Sequence, residues 1–173
     1  MPCLRDVADF QKTVALAKYA PVGQRGFIKG RGTGFGQLPW AATDTLEAYY
    51  ANSNDRLMVI PQCETKEALE HIEDIAAMEG IDGIFIGPFD LSTSMGLPGQ
   101  FTHPDFLAAK ARILQACQQV KKPCYIFTTK AEEAAACLDD GYAGVAHELD
   151  FDILIEAYRH VVTDIRSFQG KRY

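Results

Sequence analysis

Two acidic residues each come shortly after an apolar run that has the length of a strand. Glu64 follows Leu57–Ile60, and Asp90 follows Ile84–Ile86. Apolar runs of this length between turn residues are typical of strands buried on both faces of a parallel sheet. Because ligands of α/β proteins bind at the carboxyl ends of the strands, we expect both acids at one rim of the sheet. Carboxylate oxygens meeting there predict a site for a divalent cation, with Mg²⁺ or Mn²⁺ as the suitable ions.

The composition is that of a globular protein. Of the 173 residues, 47% are hydrophobic and 23% are charged, which is ordinary and predicts one domain over residues 1–173. The net charge of −6, without a basic cluster, argues against a nucleic-acid binder. No apolar run approaches the roughly 18 residues of a membrane span. Five cysteines without a C-x-x-C pair, and a start at Met1 that lacks a signal peptide, favour a cytoplasmic location.

Helix and strand patterns alternate along the chain without hairpin signals. We predict strands at 57–60, 84–86, 123–127 and 142–146, a loop at 29–36, a turn at 52–55, and helices at 6–18, 43–51, 65–78, 131–138, from 103 and from 150. This alternation predicts a parallel sheet wrapped by helices, hence an α/β fold. Since a (β/α)₈ barrel takes about 250 residues, the chain predicts either a smaller open sheet or the C-terminal part of a barrel.

The strongest motifs lie between residues 57 and 104. They are Gln62-x-Glu64-Thr65, the run from Glu79 to Ser92, Met95-Gly96 and His103-Pro104. In order and spacing these motifs resemble the HpcH/HpaI aldolase/citrate lyase family, and the resemblance runs from about residue 1 to 165. It implies a partial (β/α)₈ TIM barrel lacking the first strands. It also implies a metal-dependent lyase, a class II aldolase that cleaves or forms C–C bonds in 2-oxo acids through a pyruvate enolate.

The resemblance also assigns roles within the site. It implies that Glu64 and Asp90 bind Mg²⁺ or Mn²⁺, and that Gln62 lies beside bound pyruvate. It further implies that backbone N–H groups around Phe89 and Asp90 hold the substrate carboxylate. Strand alternation agrees, because Gln62 and Glu64 fall on one face while Cys63 points toward the helices. The partners implied are a small 2-oxo acid and further copies of the chain, assembled through the C-terminal helix.

Three departures from the family pattern bear on activity. The family's proton-transfer histidine and carboxylate-gripping arginine come from early strands, and neither has a counterpart here. Pro61 replaces a strand residue that carries an N–H, and Phe89 is bulkier than the alanine common at that position. We therefore expect weak or absent aldolase activity from the 173-residue chain by itself. We also expect an apolar inner row that faces a half-open trough.

Simpler explanations exist for each candidate residue. The two acids could be solvated loop residues or helix caps, and Gln62 could be a polar plug inside the barrel. Arg31 in the glycine-rich loop and His147 after the last predicted strand are possible substrate contacts, but a solvated arginine and a non-functional histidine are the simpler assignments. Two other functions stay open at this point. They are a citryl-CoA-lyase-like enzyme and a catalytically silent protein that binds a metal or a partner.

Overall fold

The sheet of this protein is parallel throughout. The computed structural model describes residues 1–39 and 41–169, so Trp40, for which the sequence predicts a packing role, lies outside the described residues. Within those ranges four strands lie side by side in chain order: β1 Gln62–Cys63, β2 Ile84–Ile86, β3 Cys124–Thr128 and β4 Gly144–His147. The predicted α/β alternation is confirmed.

Helices connect and follow the strands. They are α1 Val7–Ala17, α2 Leu46–Arg56, α3 Lys66–Glu70, α4 Ile72–Ala77, α5 Pro88–Ser94, α6 Pro104–Gln119, α7 Ala131–Asp139 and α8 Asp150–Gln169, with a 3₁₀ helix at Arg31–Gly36. Side-chain oxygens begin three of them, because Asp6, Thr45 and Thr65 each accept a hydrogen bond from the backbone N–H three residues later. The predicted caps Asp6 and Thr65 are confirmed.

Side chains alternate between two different environments along each strand. The outer row points toward the helices and is fully buried, as Cys63, Ile84 and Ile126 show. The inner row, with Phe85 and Tyr125 at its centre, lines an open trough of about 630 Å³. Helices therefore cover one face of the sheet in the described part of the chain, and the other face forms a concave surface.

Two element predictions are wrong near the start of the sheet. The strand expected at 57–60 is assigned at Gln62–Cys63 instead. Pro61 accepts from the Phe85 N–H but has no N–H to return, so the regular ladder begins only beyond it. The turn expected at 52–55 is the end of α2, where the Asn54 side chain exchanges two hydrogen bonds with the Tyr19 backbone, at 2.8 and 3.0 Å. A tertiary contact outweighs the turn preference of these residues.

Two predicted loops contain helical turns. The small residues after Gly87-Pro88 predict a loop that carries Asp90, but this stretch is the helix α5, because Pro88 supplies a preset φ at its first position. The glycine-rich stretch at 29–36 contains the 3₁₀ helix. Both remain connections between larger elements, but Asp90 is held by a helical turn rather than by a flexible loop.

The last helix stands apart from the core. The predicted apolar stripe of α8 is present, yet none of its residues is buried. Leu154, Tyr158, Val161 and Ile165 are each more than half exposed. No helix within residues 1–39 and 41–169 is long and apolar enough to cross a membrane. This stripe is a large apolar surface that the described chain leaves uncovered.

A buried ammonium group joins three segments at the amino end of the sheet. Lys18 follows α1, its side chain is 6% exposed, and its Nζ donates to the carbonyl oxygens of Asn54, at 2.8 Å, and of Leu57. The same Nζ lies 3.3 Å from the Asp82 carboxylate, which also accepts a hydrogen bond from the Val59 N–H. The ends of α1 and α2 are thereby fixed to the chain that enters β1 and β2.

We expect Lys18→Met to destabilise the fold. The substitution leaves two carbonyl groups and one carboxylate without their donor, and hydrogen bonds to charged groups contribute about 1.5–3 kcal/mol. The free energy of unfolding should fall by about 2–3 kcal/mol, measured by urea titration followed by circular dichroism. Lys12→Met, an exposed lysine on the same helix, is the matched control. Equal midpoints for the two variants would show that Lys18 does not fix these segments.

Candidate active site at the carboxyl rim

Glu64 is a buried carboxylate directly after β1. It is 2% exposed, and its Oε1 accepts a hydrogen bond from the Cys3 N–H at 2.5 Å. None of the ion pairs found within the described residues involves Glu64. Buried charges are normally paired with an opposite charge or coordinate a metal. A carboxylate in this position is therefore suited to binding a cation.

Gly87 makes room for this carboxylate. A Cβ atom at Gly87 would lie 2.5 Å from Glu64 Oε2 and 3.5 Å from Gln62 Nε2. Both side chains therefore extend from β1 over the backbone of Gly87, which begins α5 as its N-cap. The predicted shared face of Gln62 and Glu64 agrees with this geometry. A larger residue here would displace the Glu64 carboxylate from its place over the Gly87 backbone.

Asp90 joins the same group from the first turn of α5. Its side chain is exposed, unlike that of Glu64. The pKa of the Cys3 thiol is raised above its ordinary value, first by the charge of Glu64 and also by the charge of Asp90. Both carboxylates thus act on one thiol. Gln62 and Glu64 lie together over Gly87, and Asp90 is linked to them through its electrostatic effect on Cys3.

Sequence reasoning missed Cys3. The residue has a φ of 58°, in the left-handed region, and this aims its N–H at Glu64. Hydrogen bonding from the Gln62 N–H to the Met1 carbonyl, at 3.0 Å, lays the first residues alongside β1. The sequence Met1-Pro2-Cys3-Leu4 resembles the end of a strand of the family's barrel, and this resemblance was the available signal for the placement. It contained no indication that the Cys3 backbone would contact a site carboxylate.

Two other candidates are placed away from this group. His147 pairs with Thr128 in the sheet, and its Nδ1 lies 3.2 Å from the Thr128 hydroxyl. Thr128 is buried on the helix side, and because His147 is its partner in the register, His147 lies on that side rather than in the trough. Arg31 is exposed in the 3₁₀ helix. The hollow beside that helix is lined by residues such as Thr33 and not by the rim acids.

The oxygen donors fit a hard divalent cation. No group of three or more histidine, cysteine, aspartate or glutamate side chains within residues 1–39 and 41–169 is arranged to hold a metal ion. Mg²⁺ and Mn²⁺ do not need such a cage, because they commonly use one or two carboxylates and fill the other positions with water and substrate. Glu64, buried without a cationic partner, and Asp90, open to solvent, meet that requirement.

Paired acids and an amide at the carboxyl rim of a parallel sheet define an enzyme-like site on part of a (β/α) barrel. A model of the HpcH/HpaI aldolase/citrate lyase family matches residues 1–157. The chain belongs to this family, and the resemblance identified from its motifs is confirmed.

Named relatives agree with this placement. The chain is 31% identical over 163 residues to a hydroxypyruvate/pyruvate aldolase of Roseobacter denitrificans, covering 93% of this chain and 60% of the relative. It is 34% identical over 155 residues to a pyruvate aldolase of Rhizobium etli, covering 89% and 58%. The crystal structure of the HpcH/HpaI aldolase from Desulfitobacterium hafniense superposes with a TM-score of 0.82 at 27% identity, covering 96% of this chain and 62% of that one. The predicted partial barrel is confirmed, and the chain spans about six tenths of the length of these relatives.

The charges of Glu64 and Asp90 predict how fast the Cys3 thiol reacts with thiol reagents. A raised pKa lowers the thiolate fraction near neutral pH, so removing the nearby negative charge should increase the rate. We expect Glu64→Gln to lower the pKa of the Cys3 thiol most and Asp90→Asn to lower it less. The control Glu67→Gln, an exposed acid of α3, should leave it unchanged.

The measurement is the rate of labelling of the metal-free protein as a function of pH. It reports on Cys3 because the other four cysteines are buried. If Asp90→Asn leaves the pKa of the Cys3 thiol unchanged, the Asp90 carboxylate does not lie close to Cys3. An unchanged value in Glu64→Gln would contradict the placement of Cys3 itself.

Proposed function

We propose that this chain carries the metal-binding half of a class II aldolase site, acting on 2-oxo acids through a pyruvate enolate. The buried carboxylate of Glu64 is the observation that carries the proposal. It lies beside Gln62 and near Asp90, at the end of the sheet where (β/α) barrels bind their substrates. Membership of an aldolase/lyase family supports the reaction class.

Glu64 and Asp90 would hold the ion, for which we propose Mg²⁺ or Mn²⁺. A divalent cation there supplies Lewis-acid stabilisation of the charge that develops on the substrate ketone oxygen. The exposed position of Asp90 leaves the solvent side open to a substrate. The short path from β1 over Gly87 to α5 keeps the two ligands in a fixed relation.

Gln62 would orient the 2-oxo acid. Its amide extends over Gly87 beside the Glu64 carboxylate, where its N–H groups can donate to a substrate oxygen. The backbone N–H groups of Phe89 and Asp90 belong to the first turn of α5, where amides lack partners within the helix. We propose that they donate to the substrate carboxylate. None of these groups is a proton-transfer base. General acid–base groups contribute about 10²–10⁴-fold, so we expect weak turnover by this chain alone.

Binding of the ion should be visible as thermal stabilisation. A ligand that binds only the folded state raises stability by an amount that grows with its concentration over Kd. We expect Mn²⁺ to raise the Tm of the parent chain, and Glu64→Ala and Asp90→Ala each to abolish this increase.

The controls for this experiment are Glu67→Ala and Asp74→Ala, which remove exposed acids from the first turns of α3 and α4. Both should respond to Mn²⁺ as the parent does. If Glu64→Ala and Asp90→Ala also respond like the parent, the ion binds elsewhere. Retro-aldol and oxaloacetate decarboxylation assays, with and without the metal, then test the reaction class.

We also propose that the protein is a cytoplasmic homo-oligomer assembled through α8. All five cysteines are free thiols, four of them buried, which suits a reducing compartment. The exposed apolar stripe of α8 is the surface that a second copy would cover. A solvent-exposed surface of this kind is uncommon in a soluble monomer.

A charge placed on this stripe should reduce the assembly. We expect Val161→Asp to lower the molar mass measured by light scattering coupled to gel filtration, because burying an unpaired carboxylate in the interface is costly. Thr163→Asp, which adds the same charge to the opposite face of α8, is the matched control. A parent chain that elutes as a monomer, or two variants of equal mass, would contradict assembly through this stripe.

A further inference from the structure

An aromatic surface begins next to the site acids. Phe89, the residue before Asp90, is 50% exposed. Its ring centroid lies 4.9 Å from that of Phe101, edge to face, and 6.4 Å from that of Phe127. Phe101 in turn packs against the buried Phe106 at 5.5 Å. The exposed ring of Phe89 is therefore supported from behind by the core and is not a freely rotating side chain.

This surface lies over the mouth of the trough. Phe127 is two residues beyond Tyr125 on β3, so both point to the inner side. Tyr125 and Phe85 line the trough itself. The contact between Phe89 and Phe127 thus carries the aromatic surface from the end of β2 to β3, across the position that a bound 2-oxo acid would face.

The surface offers few partners to hydroxyl groups. In the inner row of the described strands β2, β3 and β4, the side chains are Phe85, Tyr125, Phe127, Gly144 and Ala146. Tyr125 carries the one polar group of that row. Gln62 of β1 also lines the trough, and it is the group that would hold the 2-oxo acid head. A hydroxylated carbon chain placed against these rings would lose its hydrogen bonds to water without replacement, whereas an aryl group gains apolar and ring contacts.

We propose that Phe89 selects the substrate class of this site, namely 2-oxo acids whose chain beyond C3 ends in an aromatic or alkyl group rather than in a polyhydroxylated chain. This inference rests on the proposed function, since it takes the 2-oxo acid head to be held by Gln62, Glu64 and Asp90. The inference concerns the part of the substrate that those three residues do not contact. Phe127 and Phe101 act by holding the Phe89 ring across the mouth.

Calorimetric titration tests this selectivity without requiring turnover. The 173-residue chain, saturated with Mn²⁺, is titrated with pyruvate, with 2-oxo-4-phenylbutanoate and with 2-keto-3-deoxygluconate, which share one head group. We expect the aryl acid to bind about tenfold more tightly than the polyhydroxylated acid, as one good aromatic contact provides. In Phe89→Ala the ratio of these two affinities should approach one.

Leu138→Ala is the matched control, because Leu138 is also 50% exposed and lies at the far end of α7. It should keep the parent ratio. Phe127→Ala gives an independent measurement from the second ring and should also lower the ratio. An equal or reversed preference in the parent, or a preference that Phe89→Ala retains, overturns the inference and leaves the proposed function standing if pyruvate binds. Failure of all three acids to bind in the presence of Mn²⁺ overturns both.

Discussion

The helices of the described chain cover one face of its sheet, and the properties of the site depend on this asymmetry. Strand alternation sends Cys63 into the dry layer under the helices, where burial raises the pKa of its thiol to about 12. Its neighbours Gln62 and Glu64 point the other way and converge over Gly87. Neighbouring positions along β1 therefore carry an inert buried thiol on one face and the groups that can bind a substrate on the other. The same alternation leaves Phe85 and Tyr125 lining the trough.

Among residues 1–39 and 41–169, two charged side chains are buried, Lys18 and Glu64, and they differ in how their charges are satisfied. The ammonium of Lys18 has Asp82 at 3.3 Å and two backbone carbonyl acceptors, so its charge is satisfied within the described chain. It lies where the chain enters the sheet, and in barrels of this type that end serves stability. Glu64 lies at the opposite end and has an N–H donor but no ion-pair partner among the described residues. This difference is why we propose a ligand-binding role for Glu64 and a structural role for Lys18.

Local pattern was sufficient to predict the alternation of strands and helices, but not the immediate surroundings of the candidate acids. The boundaries of β2 are those predicted, since glycines flank its apolar run. Asp90 was misplaced on a loop although Pro88 signals a helix start, so that error was avoidable. The role of Asn54 could not be predicted, because its hydrogen bonds to Tyr19 join residues that are 35 positions apart. The contact of Cys3 with Glu64 could not be predicted either, because the two residues are 61 positions apart and Cys3 has a left-handed backbone conformation.

Closing the trough and binding a substrate are compatible demands on this chain. Further strands beside β1 and β4 would cover the inner row, where Phe85 and Tyr125 now meet the open trough. They would not cover the rim, because the rim is formed by residues beyond the strand ends. Asp90 and the ring of Phe89 project from the first turn of α5, above the sheet. A closed barrel and a substrate-selecting ring at Phe89 are therefore compatible, because Phe89 lies beyond the end of the strand that would be paired.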